Sequence, residues 1–264
     1  MAKDNTDWIV FHRVRFSKPI DGNNTPFPGP AQADAWRFYP ASGLNSDGMR
    51  TNISDEWGGF GIYTSRRAAE EVFENPQDHL CFLGDTVEAY HAMVVPCSHR
   101  GKVNWRGSVK EDDTFVTAPA DPGGALVVFT SAGYDNPGPD DLPRIANFLR
   151  EVDSVQDYFG TLADNVRRAV FSGPGVDGHD GMTVSIWQSD AAMIQAAYKP
   201  GHHRDQMDYH RDKGHFDRSS FTRGRIIASK GVWDGGDPVC GNWPGVSSRQ
   251  VVGEHRPGAP ALSA

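Results

Sequence analysis

The sequence predicts an α+β fold in which two ferredoxin-like units, each ordered β-α-β-β-α-β, are fused into a dimeric α+β barrel-like domain. Two observations carry this prediction: a faint internal repeat, and the order of elements in the second half. In the first copy Ile62-Tyr63-Thr64-Ser65 leads into Arg66–Asn75, then Pro76 and His79. The same grammar returns 124 positions later, where Ile186-Trp187-Gln188-Ser189 leads into Asp190–Lys199, then Pro200 and His203. In each copy an apolar strand ends in an aromatic residue, a serine caps a short helix and a proline stops it.

The first unit is expected over residues 1–97. Trp8–Val14 has the β-branched and aromatic density of a strand. Residues 17–35 are rich in Pro, Gly and Asn and read as a loop that replaces this unit's first helix. Strands follow at Ala35–Tyr39, Gly59–Tyr63 and Glu88–Val95, with the repeat's helix before the last. A polar connector is expected over 98–123.

The second unit is expected over 124–229. Ala125–Thr130 is a short apolar run suited to a buried strand. Leu142, Ile145, Phe148 and Leu149 fall at helical spacing, and a further amphipathic piece is expected over 155–164. Strands at Arg168–Phe171 and Met182–Trp187 flank a Gly-rich turn; helices follow at Asp190–Tyr198 and from about 202 to 213, and Phe221–Ala228 closes the unit. The tail over 230–264, rich in Gly, Pro and Ser, is expected to be extended or partly disordered.

Composition narrows the function classes. The formal net charge of −8 argues against a general nucleic-acid or anionic-membrane surface. No run is long enough for a membrane span, and the opening Met1-Ala2-Lys3-Asp4 is not a signal peptide. The 3 cysteines, Cys81, Cys97 and Cys240, lie at wide, unpatterned spacing and read as reduced thiols. The expectation is therefore a cytoplasmic protein with a small-molecule substrate.

The segment after Tyr198 concentrates titratable groups. His202, His203, His210 and His215 are four of the 10 histidines. A multi-histidine metal site fits poorly, because none of these pairs has the i,i+4 spacing that puts two ligands on one helical turn. A single axial haem ligand asks for less: one imidazole nitrogen, apolar walls and basic groups for the propionates. His203 offers the nitrogen; Tyr198, Met207 and Phe216 offer walls; Arg204, Arg211, Arg223 and Arg225 offer charge. The same residues also suit a solvated, charge-laced helix whose histidines do no chemistry. Residue types alone leave both readings open.

The run Val184–Trp187, Ser189–Met193, then Tyr198–His203 and Met207 resembles the spheroidene monooxygenase family. That family has a strand ending in Trp, an Asp-Ala-rich helix, a Gly-Pro-His turn, a Gly-Trp-Phe stretch and a Phe-Ala-Arg-Phe strand. Here the later motifs read Gly214-His215-Phe216 and Phe221-Thr222-Arg223-Gly224. The resemblance spans roughly residues 8–228, with its specific block at 182–225. Its departures are His202 for Pro, His215 for Trp and Gly224 for Phe, and with the polar 17–35 loop they favour a substrate smaller or more polar than a carotenoid.

The resemblance implies a haem-dependent monooxygenase or oxidase acting on a small organic molecule of secondary-metabolite type, with haem b as cofactor and iron as its metal. His203 would be the axial ligand and, with Arg223, catalytic. Trp187, Tyr198, His202, Met207, Phe216 and Arg225 would surround the cofactor. An electron donor or peroxide would act as co-reactant, and a homodimer is compatible with the fold type. Haem-dependent dehydration or nitrogen chemistry, and non-catalytic haem binding or sensing, are the alternatives.

Overall fold

The structure is a computed structural model that describes residues 6–23, 27–41, 43–101, 115–174, 178–198, 209, 217–239 and 247–248. The first unit comprises β1 (Trp8–Asp21), β2 (Ala35–Pro40), β3 (Ile53–Tyr63), α1 (Arg66–Glu74), the short α2 (Pro76–His79) and β4 (Thr86–Gly101). The second comprises β5 (Ala125–Asp135), α3 (Leu142–Gly160), β6 (Asn165–Pro174), β7 (Gly178–Trp187), α4 (Asp190–Tyr198) and β8 (Arg218–Gly231). A two-residue strand, β9 (Ser247–Ser248), pairs with β8.

All eight long strands join one antiparallel sheet in the order β2-β3-β1-β4-β8-β5-β7-β6. Each half of that order is the ferredoxin-like arrangement, and the β4–β8 pairing welds the halves together. The sheet curls until β2 returns against β6, giving a nearly closed barrel. The α+β, two-unit expectation is the observed fold.

Strand alternation sorts every side chain to the barrel interior or its outer face. The interior is packed solid by Phe11, Phe60, Tyr90, Phe129, Phe171, Val184, Ile186 and Trp233, all buried. Each such aromatic or aliphatic side chain contributes about 1.5–3 kcal/mol on leaving water. Gly224 belongs to this layer: a Cβ there would lie 2.5 Å from Val94 Cγ1. That contact gives a packing reason for glycine where the spheroidene monooxygenase pattern carries phenylalanine.

Several boundaries differ from the sequence expectation. β1 runs on to Asp21, so the first loop starts later than residue 17. β4 reaches Gly101 because Ser98–Gly101 pair with Ser220–Arg223, which moves the start of the connector beyond 98. The two helical pieces expected after residue 142 are one helix of 19 residues, α3. The tail is packed at its start: Lys230 and Gly231 belong to β8, and Trp233 and Val239 are buried in the barrel core. Composition concealed this, since two apolar anchors among Gly and Asp suffice to seat a segment that has no periodicity. The helix expected over 202–213 lies outside the described residues except at Tyr209.

Candidate functional site: a slot under the second unit's helices

The outer face of the second unit carries the site. On β5, Leu126, Val128 and Thr130 point out toward the helices; on β7, Thr183, Ser185 and Trp187 do so; on β8, Phe221, Arg223 and Arg225 do so. Thr130 sits opposite Thr183, and Val128 opposite Ser185, across the β5–β7 ladder. Ser189 caps α4, its Oγ accepting from the Ala192 N–H at 3.1 Å, so the helix starts directly after β7 and folds back over the sheet.

Between this floor and the helices lies an apolar slot with a cavity volume of about 80 Å³. Val155, Gln156 and Phe159 of α3 roof it, Met193 and Ala197 of α4 close one side, and Trp187 and Phe221 wall that end. The Trp187 indole N–H donates to Ser185 Oγ at 2.8 Å, and its ring meets Phe159 edge-on with centroids 5.0 Å apart. A further hollow of about 60 Å³ continues under α3 past Phe148 and Val152 to Leu149, Val170 and Tyr134. From Phe148 to Phe159 the helix covers about 16 Å of slot.

One polar atom stands out within these walls. Gln156 is 7% exposed, and its Oε1 has no hydrogen-bond partner among the described residues. A buried amide oxygen left unpaired costs about 1–3 kcal/mol, so this atom is an unsatisfied demand placed inside an apolar slot.

Beyond Phe221 the slot adjoins a polar hollow lined by Ser98, Arg100, Ile194, Tyr198 and Arg223. Arg223 Nε donates to Ser98 Oγ at 2.8 Å. Tyr198, the last residue of α4, is 45% exposed, and its ring lies 6.4 Å from that of Phe221. Arg225 is differently committed. Its guanidinium bonds Asp121 at 2.6 Å and Asp190 at 2.7 Å, and those hydrogen bonds, Asp121's first, raise its pKa further above its ordinary value. The same contact holds the Asp121 carboxyl below its usual range. Burial pushes the neighbouring Cys97 thiol up, which leaves it a poor nucleophile.

No protein-family model matches this chain, and no curated protein matches it in sequence. The structure is similar to that of an aldoxime dehydratase in complex with butyraldoxime, at 10% identity over 85% of this chain and 80% of that chain, TM-score 0.48. It is similar to a further aldoxime dehydratase structure at 9% identity over 85% and 82%, TM-score 0.49. A protein from Fusobacterium nucleatum named a putative monooxygenase is similar at 9% identity over 88% and 96%, TM-score 0.35. Likeness of this degree concerns shape alone.

Of the residues the sequence singled out, Trp187 lines the slot, Tyr198 and Arg223 line its polar mouth, and Arg225 lies beside the mouth within its carboxylate pair. His202, His203, Met207, His210, His215 and Phe216 lie outside the described residues. Among the described residues, no group of three or more His, Cys, Asp or Glu side chains could hold a metal ion. No described helix is long and apolar enough to cross a membrane. The sequence reading did not single out Gln156. Its signal was a polar residue on the buried stripe of α3, between Val152 and Phe159.

Proposed function

We propose that this chain is a haem-dependent enzyme of monooxygenase or oxidase type, acting on a small organic molecule at the slot under α3 and α4. The observation that carries the reading is the pairing of an apolar slot with a basic mouth at the C-terminal end of α4. Haem is a flat apolar disc with two carboxylates on one edge, and the residues present suit it. Trp187, Phe159, Met193, Ala197 and Phe221 offer apolar contact, and Arg223 and Arg100 offer charge to the propionates. The barrel interior is filled by aromatic side chains, which leaves the outer face as the place for a group of this size.

In this reading His203 would supply the nitrogen that holds the iron. It follows Tyr198 by five residues, a span that reaches at most about 18 Å of extended chain, so the mouth of the slot is within its range. When bound, haem would supply an iron centre for redox or Lewis-acid chemistry. The chain's own residues then have defined tasks. The apolar walls exclude water, Arg223 is held in place by Ser98, and Trp187 is fixed in one orientation by Ser185. The organic substrate would lie beside the cofactor along α3, from Gln156 past Val152 into the hollow toward Tyr134.

An absorption titration tests the reading. Purified protein, or protein given haem, should show a Soret band, and His203→Ala should change its position or abolish it. Absence of the band after haem addition would overturn the proposal. An unchanged spectrum in His203→Ala would move the ligand to another histidine. Turnover with candidate substrates separates an oxygenase from a dehydratase and from a haem-binding protein without activity.

A further inference from the structure

We infer that Gln156 is the specificity-determining residue of the slot, selecting an apolar ligand that carries a hydroxyl group. The inference rests on the slot being the ligand site proposed above, but it needs no particular cofactor.

Gln156 lies on the slot-facing side of α3, one turn beyond Val152 and one turn before Phe159. Its neighbours in the lining are mostly apolar: Phe148, Val152, Val155, Phe159, Met193 and Val128. A glutamine fixed in such a setting, 7% exposed with Oε1 unpartnered, is a polar group waiting for a partner from the slot side. A hydroxyl is both donor and acceptor, so it satisfies a primary amide whichever way that amide is turned. A ligand offering only a carbonyl or ether oxygen answers the amide in one of its two orientations alone, and a pure hydrocarbon answers it in neither.

The opposite wall supports the same class. Thr130 and Thr183 face each other across the β5–β7 ladder, and Ser185 stands next on the same outward row. These hydroxyls form a short polar strip on an otherwise apolar floor. A ligand hydroxyl placed between that strip and Gln156 could donate to one side and accept from the other. A full carboxylate fits less well here, because the basic groups sit outside the slot, at Arg100 and Arg223 in the mouth. The chemistry named is therefore a phenol or an alcohol on an apolar body.

Such a site discriminates in a characteristic way. Against a ligand that lacks the hydroxyl, the penalty comes from the buried amide left unpaired. If a bound water alone answers Gln156, a ligand hydroxyl gains nothing over a methyl group of the same size.

Isothermal titration of the purified full chain with 2-naphthol and with 2-methylnaphthalene, which differ in little but the hydroxyl, tests the inference. Wild type should bind the naphthol about tenfold more tightly, the size of one net hydrogen bond. Gln156→Leu should reduce the preference to under about threefold, chiefly by binding 2-methylnaphthalene better. Gln156→Met, closer in length, serves if the leucine variant is unstable. Equal binding of both compounds by wild type, no binding of either, or a preference retained in a folded variant would each overturn the inference. Failure of the haem reading is separate. A missing Soret band with the naphthol preference intact removes the haem and leaves the selectivity, and a Soret band without the preference does the reverse.

Discussion

The two units carry the same strand order, and their outer faces are finished in opposite ways. On the second unit a helix of 19 residues, α3, stands off the sheet and leaves a slot beneath it. On the first unit no helix lies between β1 and β2 among the described residues, and Phe27 from that connection packs into the corresponding layer. That ring contacts Phe16, Trp57 and Phe82 with centroids 5.6, 4.7 and 4.9 Å away, in a cluster sealed by Leu80. Next to it, Trp8, Tyr63 and Phe73 fill the space under α1. A rigid helix touches a twisted sheet only where its side chains reach, whereas a loop can follow the surface and deliver an aromatic plug. Two faces built on the same strand order thus differ, one a packed layer and the other a slot.

The largest effect that tests this contrast is on stability. Phe27→Ala should cost about 2 kcal/mol, since it removes a partly buried ring that packs on an aromatic cluster. Val152→Phe, which adds bulk to the slot, should cost less than about 1 kcal/mol because there is room to accept it. Denaturant midpoints at constant slope give both numbers. If the plug and the slot responded alike, the two faces would not differ in packing as described.

A second test uses charge. On the first unit's outer face His12 and His91 are buried with their Nδ1 atoms 2.8 Å apart, and Trp36 lies over His12 at 5.7 Å. Lys230, whose Nζ donates to the Glu74 carbonyl at 2.8 Å, adds positive potential from β8. Burial first, then the neighbouring positive charges, lowers both histidine pKa values, His91 to about 3. The unfolded chain, with histidines near about 6.5, therefore takes up protons before the folded one does. Stability is full above that value and falls as pH drops toward the folded pKa values, by about 1.4 kcal/mol per pH unit for each proton taken up. Chemical denaturation between pH 7 and 5 should show this slope, and the double variant His12→Leu with His91→Leu should flatten it. A wild-type profile already flat over that window would contradict a neutral buried pair.

How much of this was legible in the sequence follows from what periodicity encodes. The repeat at 124 positions places β3 and α1 onto β7 and α4, ending at Tyr63 and Trp187, because strand alternation and serine caps are local signals. Periodicity also tells which face of α3 is buried, but not whether the space beneath that face is filled. The slot was therefore invisible, and Gln156 read as one more helical residue. Trp233 shows the converse. It plugs the barrel core from a segment whose Gly, Pro and Ser content suggested an extended or partly disordered tail, since burial there depends on strands distant in sequence. The histidine cluster was the most conspicuous feature in the sequence, yet its chemistry stays with the proposal, while the described walls of the slot come from residues of ordinary appearance.

The smallest expected effect separates two arginines that the sequence could not tell apart. Arg223 and Arg225 are two residues apart on β8 and share its outer face. Arg225 ties Asp121, from the segment before β5, to Asp190 at the start of α4. Its side chain is 14% exposed but both carboxylates are open to solvent, so screening discounts the pair. Arg225→Ala should cost about 1 kcal/mol, with haem uptake unchanged. Arg223→Ala should leave stability within about 0.5 kcal/mol and weaken haem binding severalfold, because its one described partner is the neutral Ser98 hydroxyl and it faces the mouth. Thermal melts and haem titrations on the two variants read these outcomes. The reverse assignment, with Arg225 governing uptake and Arg223 stability, would place the anionic edge of the ligand against the Asp121–Asp190 side and redraw the mouth of the slot.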